Sequence, residues 1–140
     1  MALPMSSVSH LPTLLASMSP SMDEETYVFA TVPKVPNRLK PVMTFREGER
    51  ISLILTVAEA EAANLPFSYP SRMITLNVHS ALEAVGFLAA ITTRLAAANI
   101  SVNPVSAFYH DHLFVPAARA VEAMKILDAM TREHQKALER

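Results

Sequence analysis

The chain has no cysteine and no tryptophan, and only two glycines, Gly48 and Gly86. Without cysteine there is no disulfide framework, no thiolate nucleophile and none of the common cysteine-based zinc sites. Two isolated glycines leave no Gly-rich loop to cradle a phosphate, and no nucleophile elbow is present. Neither sign of charge dominates: 12 Lys and Arg against 13 Asp and Glu give a net charge of −1. No basic field exists to collect a nucleic-acid backbone, and nucleic acid is not an expected partner. The cluster Lys34, Arg38 and Lys40 sits among prolines and reads as a solvated loop. No charge-free apolar run reaches the roughly 18 residues of a membrane span, so no membrane partner is expected. The N-terminal stretch to Met22 has no Lys or Arg and no long apolar run, so it makes a poor leader, and the cytoplasm is the expected address. Asn99-Ile100-Ser101 matches a glycosylation sequon, a match expected to be accidental where no export signal is read.

What is present is apolar. At 51% hydrophobic residues, 140 residues suffice for one compact core or two small halves packed as one unit. Leu11, Leu14, Leu15 and Met18 have helical spacing, and Ser19-Pro20 ends that helix. Tyr27 to Val32 is β-branched and aromatic and reads as a strand. Residues 33–50, with Pro33, Pro36, Pro41 and Gly48, form an irregular crossing with a short strand at Val42 to Phe45. Ile51 to Leu55 is the next strand. Thr56 and Glu59 form a capping box that opens a helix to about Asn64. LPFSYPS, residues 65–71, is a Pro-rich link.

The second half is more regular. In the strand Arg72 to His79, Ile74, Leu76 and Val78 share one face, while Met73, Thr75, Asn77 and His79 share the other. Ser80 and Glu83 form a second capping box, whose helix runs to about Ala98 with Ala84, Leu88, Ile91 and Leu95 as its core stripe. Asn99 ends it in a left-handed cap. A strand from Ile100 to Tyr109 carries Pro104, the mark of an edge or a bulge. After a turn at His110-Asp111 comes a strand from His112 to Val115. A last helix has apolar positions at Val121, Met124, Ile126, Leu127 and Met130, and a polar end from Thr131. The order β-α-β-β-α is the split βαβ logic of ferredoxin-like domains. The first half repeats it without a first strand, a weak sign of duplication.

The phrase MITLNVHSALEAVGFLAAITTRLAAANISVNPVSAFYHDHLFVP resembles the core of ACT domains, with the Val85-Gly86 pair at the helix start and Asn99-Ile100-Ser101 leading to the next strand. It is most similar to the tandem ACT proteins of the aspartokinase-regulatory and CASTOR-like branch. YVFATV through ISLILTVAEAEAANL looks like the degenerate N-terminal half of small stand-alone members. Asn99 stands where many members carry glycine. The resemblance implies an α+β fold, a ferredoxin-like (βαββαβ) ACT domain, with two ACT-like halves packed as one unit. It divides the chain into an N-terminal helix or extension (1–20), a degenerate first half (21–66), a linker (67–71), an ACT domain (72–131) and a polar tail (132–140).

It also implies binding of an amino acid or similar small metabolite, regulation of an attached or associated protein, and no catalytic centre or cofactor. Ligand contacts are expected at the loop and helix start Asn77, His79, Ser80, Ala81, Val85 and Gly86, and at the facing strand and turn Asn103, Val105, Ser106, His110 and Asp111. The loop leading to a helix N-terminus suits a carboxylate, and Asp111 suits an ammonium group. Each residue also has a plainer reading: Ser80 as a cap, Gly86 as helix–sheet packing, Asn103 as a solvent-facing strand residue, Asp111 as a turn former. His110, Asp111 and His112 are too few to specify a metal. Two functions follow: an amino-acid-binding regulatory module, and a ligand-free module that pairs with a second copy or a partner enzyme through an uncovered sheet edge.

Overall fold

The computed structural model of the chain describes residues 10–140. Helix α1 (Leu11–Ser17) leads to strands β1 (Ser21–Met22), β2 (Tyr27–Val32), β3 (Met43–Glu47) and β4 (Arg50–Thr56), then to helix α2 (Val57–Ala62). Strand β5 (Ser68–Thr75), helix α3 (Phe87–Ala97), strands β6 (Asn103–Ser106) and β7 (Asp111–Pro116), a 3-10 turn at Ala117–Arg119 and helix α4 (Ala120–Leu138) complete the chain. The fold is the ferredoxin-like α+β arrangement expected. The expected start of the first helix, at residue 8, lies outside the described residues.

All the strands join one antiparallel sheet in the order β3-β4-β2-β5-β7-β6, with β1 also on β5. The registers Ser21↔Thr75, Tyr27↔Ser71 and Phe29↔Ser68 show residues 21–32 running as one interrupted strand along β5. Each half therefore completes the other. The start of β5 flanks β2 of the first half, and β1 with β2 covers the edge of β5 opposite β7 in the second. Three contacts hold the interruption. Arg72 Nε donates to the carbonyl of Asp23 at 3.1 Å, the Tyr27 hydroxyl donates to Asp23 Oδ2, and the buried Ser71 hydroxyl donates to the Tyr27 carbonyl.

Strand alternation sorts the core into two faces. Ile74, Leu113 and Val115 meet Leu14, Leu15 and Met18 of α1, Phe87, Ile91 and Leu95 of α3, and Ala123, Leu127 and Met130 of α4. Val28, Val32, Leu53 and Leu55 pack with Ala60 of α2. On the opposite face Tyr27, Ile54 and Phe114 form a separate cluster with Phe29, Tyr69 and Met73. The rings of Tyr27 and Phe29 meet Phe114 edge-on at 5.8 and 5.9 Å, tying β2 of one half to β7 of the other.

Several sequence expectations are corrected. Residues 68–71 are not a link but the start of β5. Tyr69 takes φ +62°, a bulge that lets a Pro-containing segment remain in the sheet. The polar end is helical to Leu138, because Gln135 Nε2 donates to the carbonyl of Ala16 and Arg94 pairs with Glu133. The buried stripe of α4 runs through Ala120, Ala123, Leu127 and Met130, whereas Val121 is exposed. The strand expected over 100–109 is short and lies at the sheet edge, as Pro104 requires.

Two local readings hold. Asn99 takes φ +60°, and Thr56 caps α2 through its Oγ1, which accepts from Glu59 N at 3.2 Å. Thr56→Ala should lower unfolding free energy by about 1 kcal/mol, as for other N-cap losses; a urea titration against the wild type measures it. Because α2 is only 6 residues long, a shift below about 0.3 kcal/mol would mean that packing of Ala60 alone holds it.

Candidate functional site

The second capping box does not form. Helix α3 starts at Phe87, with Gly86 as N-cap at φ +92° and, among the described residues, no side-chain cap on its first turn. The left-handed conformation explains the glycine, since an L-residue there is strained, and a side chain would also approach Leu11. Residues 76–86 instead form an irregular loop, tightened by Ala84 N donating to the Ala81 carbonyl. Ser80 is thereby released from capping. Its hydroxyl donates to Asp111 Oδ2 at 3.0 Å across the gap between this loop and β7.

A cavity of about 150 Å³ lies there. Of the residues expected to contact a ligand, Ser80, Ala81, Gly86, Ser106 and Asp111 line it, together with Leu82, Ala84, Phe87, Leu88, Ala89 and Ala107. Those additional residues are legible only in part, because the expected N-cap, Ser80, lies six residues before the observed one, Gly86. On one side stand the amides of Phe87, Leu88 and Ala89, which as first-turn groups have no intrahelical acceptor and carry partial positive charge. On the other stands Asp111, only 6% exposed. Among the described residues it is the one buried residue with a charged side chain. No lysine or arginine described here comes within ion-pairing distance of it.

The other expected contacts lie elsewhere. Asn77, at φ +48°, gives its amide to the Ser19 carbonyl at 2.8 Å and to Ser21 Oγ, which fixes β1 rather than reaching the cavity. Asn103 and Val105 project from the opposite face of β6: Val105 pairs in register with His112 and lines a separate groove with Met73 and Phe114. Val85 is 85% exposed, between two lining residues. The His79 ring stands 5.7 Å from that of Tyr109.

His110 and His112 have rings 6.4 Å apart. His112 Nδ1 bonds Thr75 Oγ1 at 2.9 Å on the face opposite to Asp111. Alternation along β7 thus separates the two histidines from the carboxylate. Among the described residues no cluster of three metal-ligating side chains occurs.

Burial, then the neighbouring His110, push the His112 imidazole below its ordinary value, with Asp111 acting the other way. The unfolded chain therefore binds this proton more readily. The corresponding stability is present above pH of about 6.5 and is lost as pH falls through the lowered value. His112→Gln should flatten the fall in urea midpoint between about pH 7 and pH 5; an unchanged slope would assign it to other groups.

An antiparallel sheet with a helix layer, and a small cavity at a loop–helix junction, define an α+β module of the ferredoxin-like class. The chain belongs to the ACT-domain family, and it holds two ACT domains in tandem. ACT-domain family models match residues 6–72 and residues 68–129. They overlap at 68–72, inside the strand the two halves share. ACT domains are regulatory ligand-binding modules that typically bind amino acids.

No curated protein matches the chain. Among solved structures, a Vibrio cholerae protein of unknown function, described as a possible transport protein, is 42% identical. The match covers 86% of this chain and 95% of that one, with TM-score 0.79. A protein from Agrobacterium tumefaciens is 15% identical with TM-score 0.70, covering 81% of this chain and 89% of its own. The ligand-free regulatory subunit of aspartate kinase from Thermus thermophilus is 8% identical with TM-score 0.60, covering 83% and 97%. The last two share the fold. Among the described residues no helix is long and apolar enough to cross a membrane.

Proposed function

We propose that this chain is a non-catalytic regulatory module of the cytoplasm that binds an amino acid in the cavity between Ser80–Ala89 and Ser106–Asp111. The observation that carries the reading is the buried carboxylate of Asp111, lining the cavity without a cationic partner among the described residues. A buried charge is ordinarily paired. An α-ammonium group supplies the missing charge, and the ligand's carboxylate fits the uncapped start of α3. Regulation follows by population shift, the ligand stabilising whichever arrangement of loop 76–86 binds it better. The comparison with the aspartate kinase regulatory subunit supports the same reading at the level of fold.

The first half has an irregular segment where a helix would join β2 to β3, so the corresponding helix N-terminus is missing. Calorimetry with the common amino acids should therefore give one site per chain. A ligand at about 100 times its Kd should add about 2.7 kcal/mol to stability, visible as a rise in melting temperature. Two equal sites, or no amino acid binding at millimolar concentration, would overturn the reading.

A second reading rests on Leu82, Val85 and Phe108, which are 68%, 85% and 54% exposed beside the cavity. Large apolar residues exposed together mark a contact surface, and a second copy or a partner enzyme would cover them. In that reading the loop pairs protein to protein, and light scattering would show a dimer that amino acids do not alter.

A further inference from the structure

We infer that the cavity selects amino acids with small, uncharged side chains, of the size of glycine, alanine, serine or threonine. The inference rests on the amino-acid reading above and adds the identity of the side chain. Three observations carry it. The first is volume. The cavity holds about 150 Å³, and a void of about 150 Å³ accommodates a single benzene molecule. Alanine has as many heavy atoms as benzene, so it fills such a space, whereas the whole molecules of leucine, phenylalanine and arginine exceed it.

The second observation is charge. Among the described residues that line the cavity, Asp111 is the one with a charged side chain, and none is a lysine or arginine. One carboxylate matches one ammonium group. A second carboxylate on the ligand, as in aspartate or glutamate, would stand near Asp111 with no basic side chain to receive it, and like charges brought together at a desolvated site are costly. A lysine or arginine side chain would carry a second cation with no second acid to meet it.

The third is the wall. Ala81, Ala84 and Ala107 leave room beside the backbone, and the buried Phe87 is part of the same lining. Ser80 and Ser106 place hydroxyls on the lining, which serine or threonine could use without any charged group.

The test is calorimetry on the full chain with glycine, alanine, serine, threonine, leucine, phenylalanine, glutamate, lysine and arginine, and with lactate as the isostere of alanine that lacks the ammonium group. At least one of the four small amino acids should bind about tenfold or more tightly than every large or charged one, and alanine about tenfold more tightly than lactate. Ala107→Leu, at an exposed turn position where folding is readily verified by circular dichroism, narrows the cavity. It should weaken threonine by a larger factor than glycine. Tightest binding of arginine, glutamate or phenylalanine would overturn the size-and-charge selection while leaving the amino-acid site intact. Absence of binding by every amino acid would overturn the site itself, and equal binding of alanine and lactate would overturn the pairing of ammonium with Asp111.

Discussion

Asp111→Asn is expected to weaken amino-acid binding by about ten- to a hundredfold while leaving the protein as stable as before, or more stable. A hydrogen bond to a charged group contributes about 1.5–3 kcal/mol, and each 1.4 kcal/mol is about tenfold in affinity. Asparagine keeps the shape, and its carbonyl still accepts from the Ser80 hydroxyl that now meets Oδ2 at 3.0 Å. What it loses is the charge that would meet the ammonium group. In the free protein that charge is buried with a serine hydroxyl and no basic side chain among the described residues, so removing it relieves a desolvation cost. Calorimetry and a thermal melt of the free protein read the two effects separately. If Asp111 were merely structural, holding loop 76–86 through Ser80, the melting temperature would fall and the affinity of any ligand would follow it. Lower affinity without lower stability is the signature of a charge kept for binding.

Phe114→Ala should destabilise the fold by about 3–5 kcal/mol, the range for deleting a buried aromatic ring. Phe114 is 2% exposed and sits where the two ACT halves join, edge-on to Tyr27 and Phe29. Its loss opens a cavity on the helix-free face and removes two aromatic contacts across the seam. Because residues 21–32 lie along β5, neither half has a complete sheet without the other. Urea unfolding should therefore remain a single transition, with a lower midpoint and an unchanged slope. Two separated transitions would show that the halves fold independently, and a loss under about 1.5 kcal/mol would show that the seam does not depend on this ring.

Both predictions concern residues whose importance was unevenly legible. Asp111 stood out in the sequence as part of a polar cluster with His110 and His112, but residue types alone could not separate them. The alternation of β7 did so, turning Asp111 to the cavity and His112 to the opposite face. Phe114 read only as one apolar residue of a short strand, because the rings it meets are more than eighty positions away in the chain. Ser80 and Glu83 fit a capping box, and so did Thr56 and Glu59; only Thr56 caps its helix. At Thr56 the strand runs straight into the helix. After Thr75 the chain first leaves the sheet, and Gly86, free to take φ +92°, sets the start of α3.

The sequence by itself determined the class of fold, the inward positions Ile74, Leu76 and Val78, of which only Ile74 lies within β5, the left-handed exit at Asn99 and the family. These are local matters of period, propensity and turn chemistry. The tertiary structure decided what depends on distant pairing: that β5 begins at Ser68 and serves both halves, that Asn77 fixes β1 instead of facing the cavity, that Asn103 and Val105 point away from it, and that Asp111 is buried and lines the cavity. A one-residue change of register reverses which face a strand residue occupies, and register across this sheet is set by partners remote in the chain.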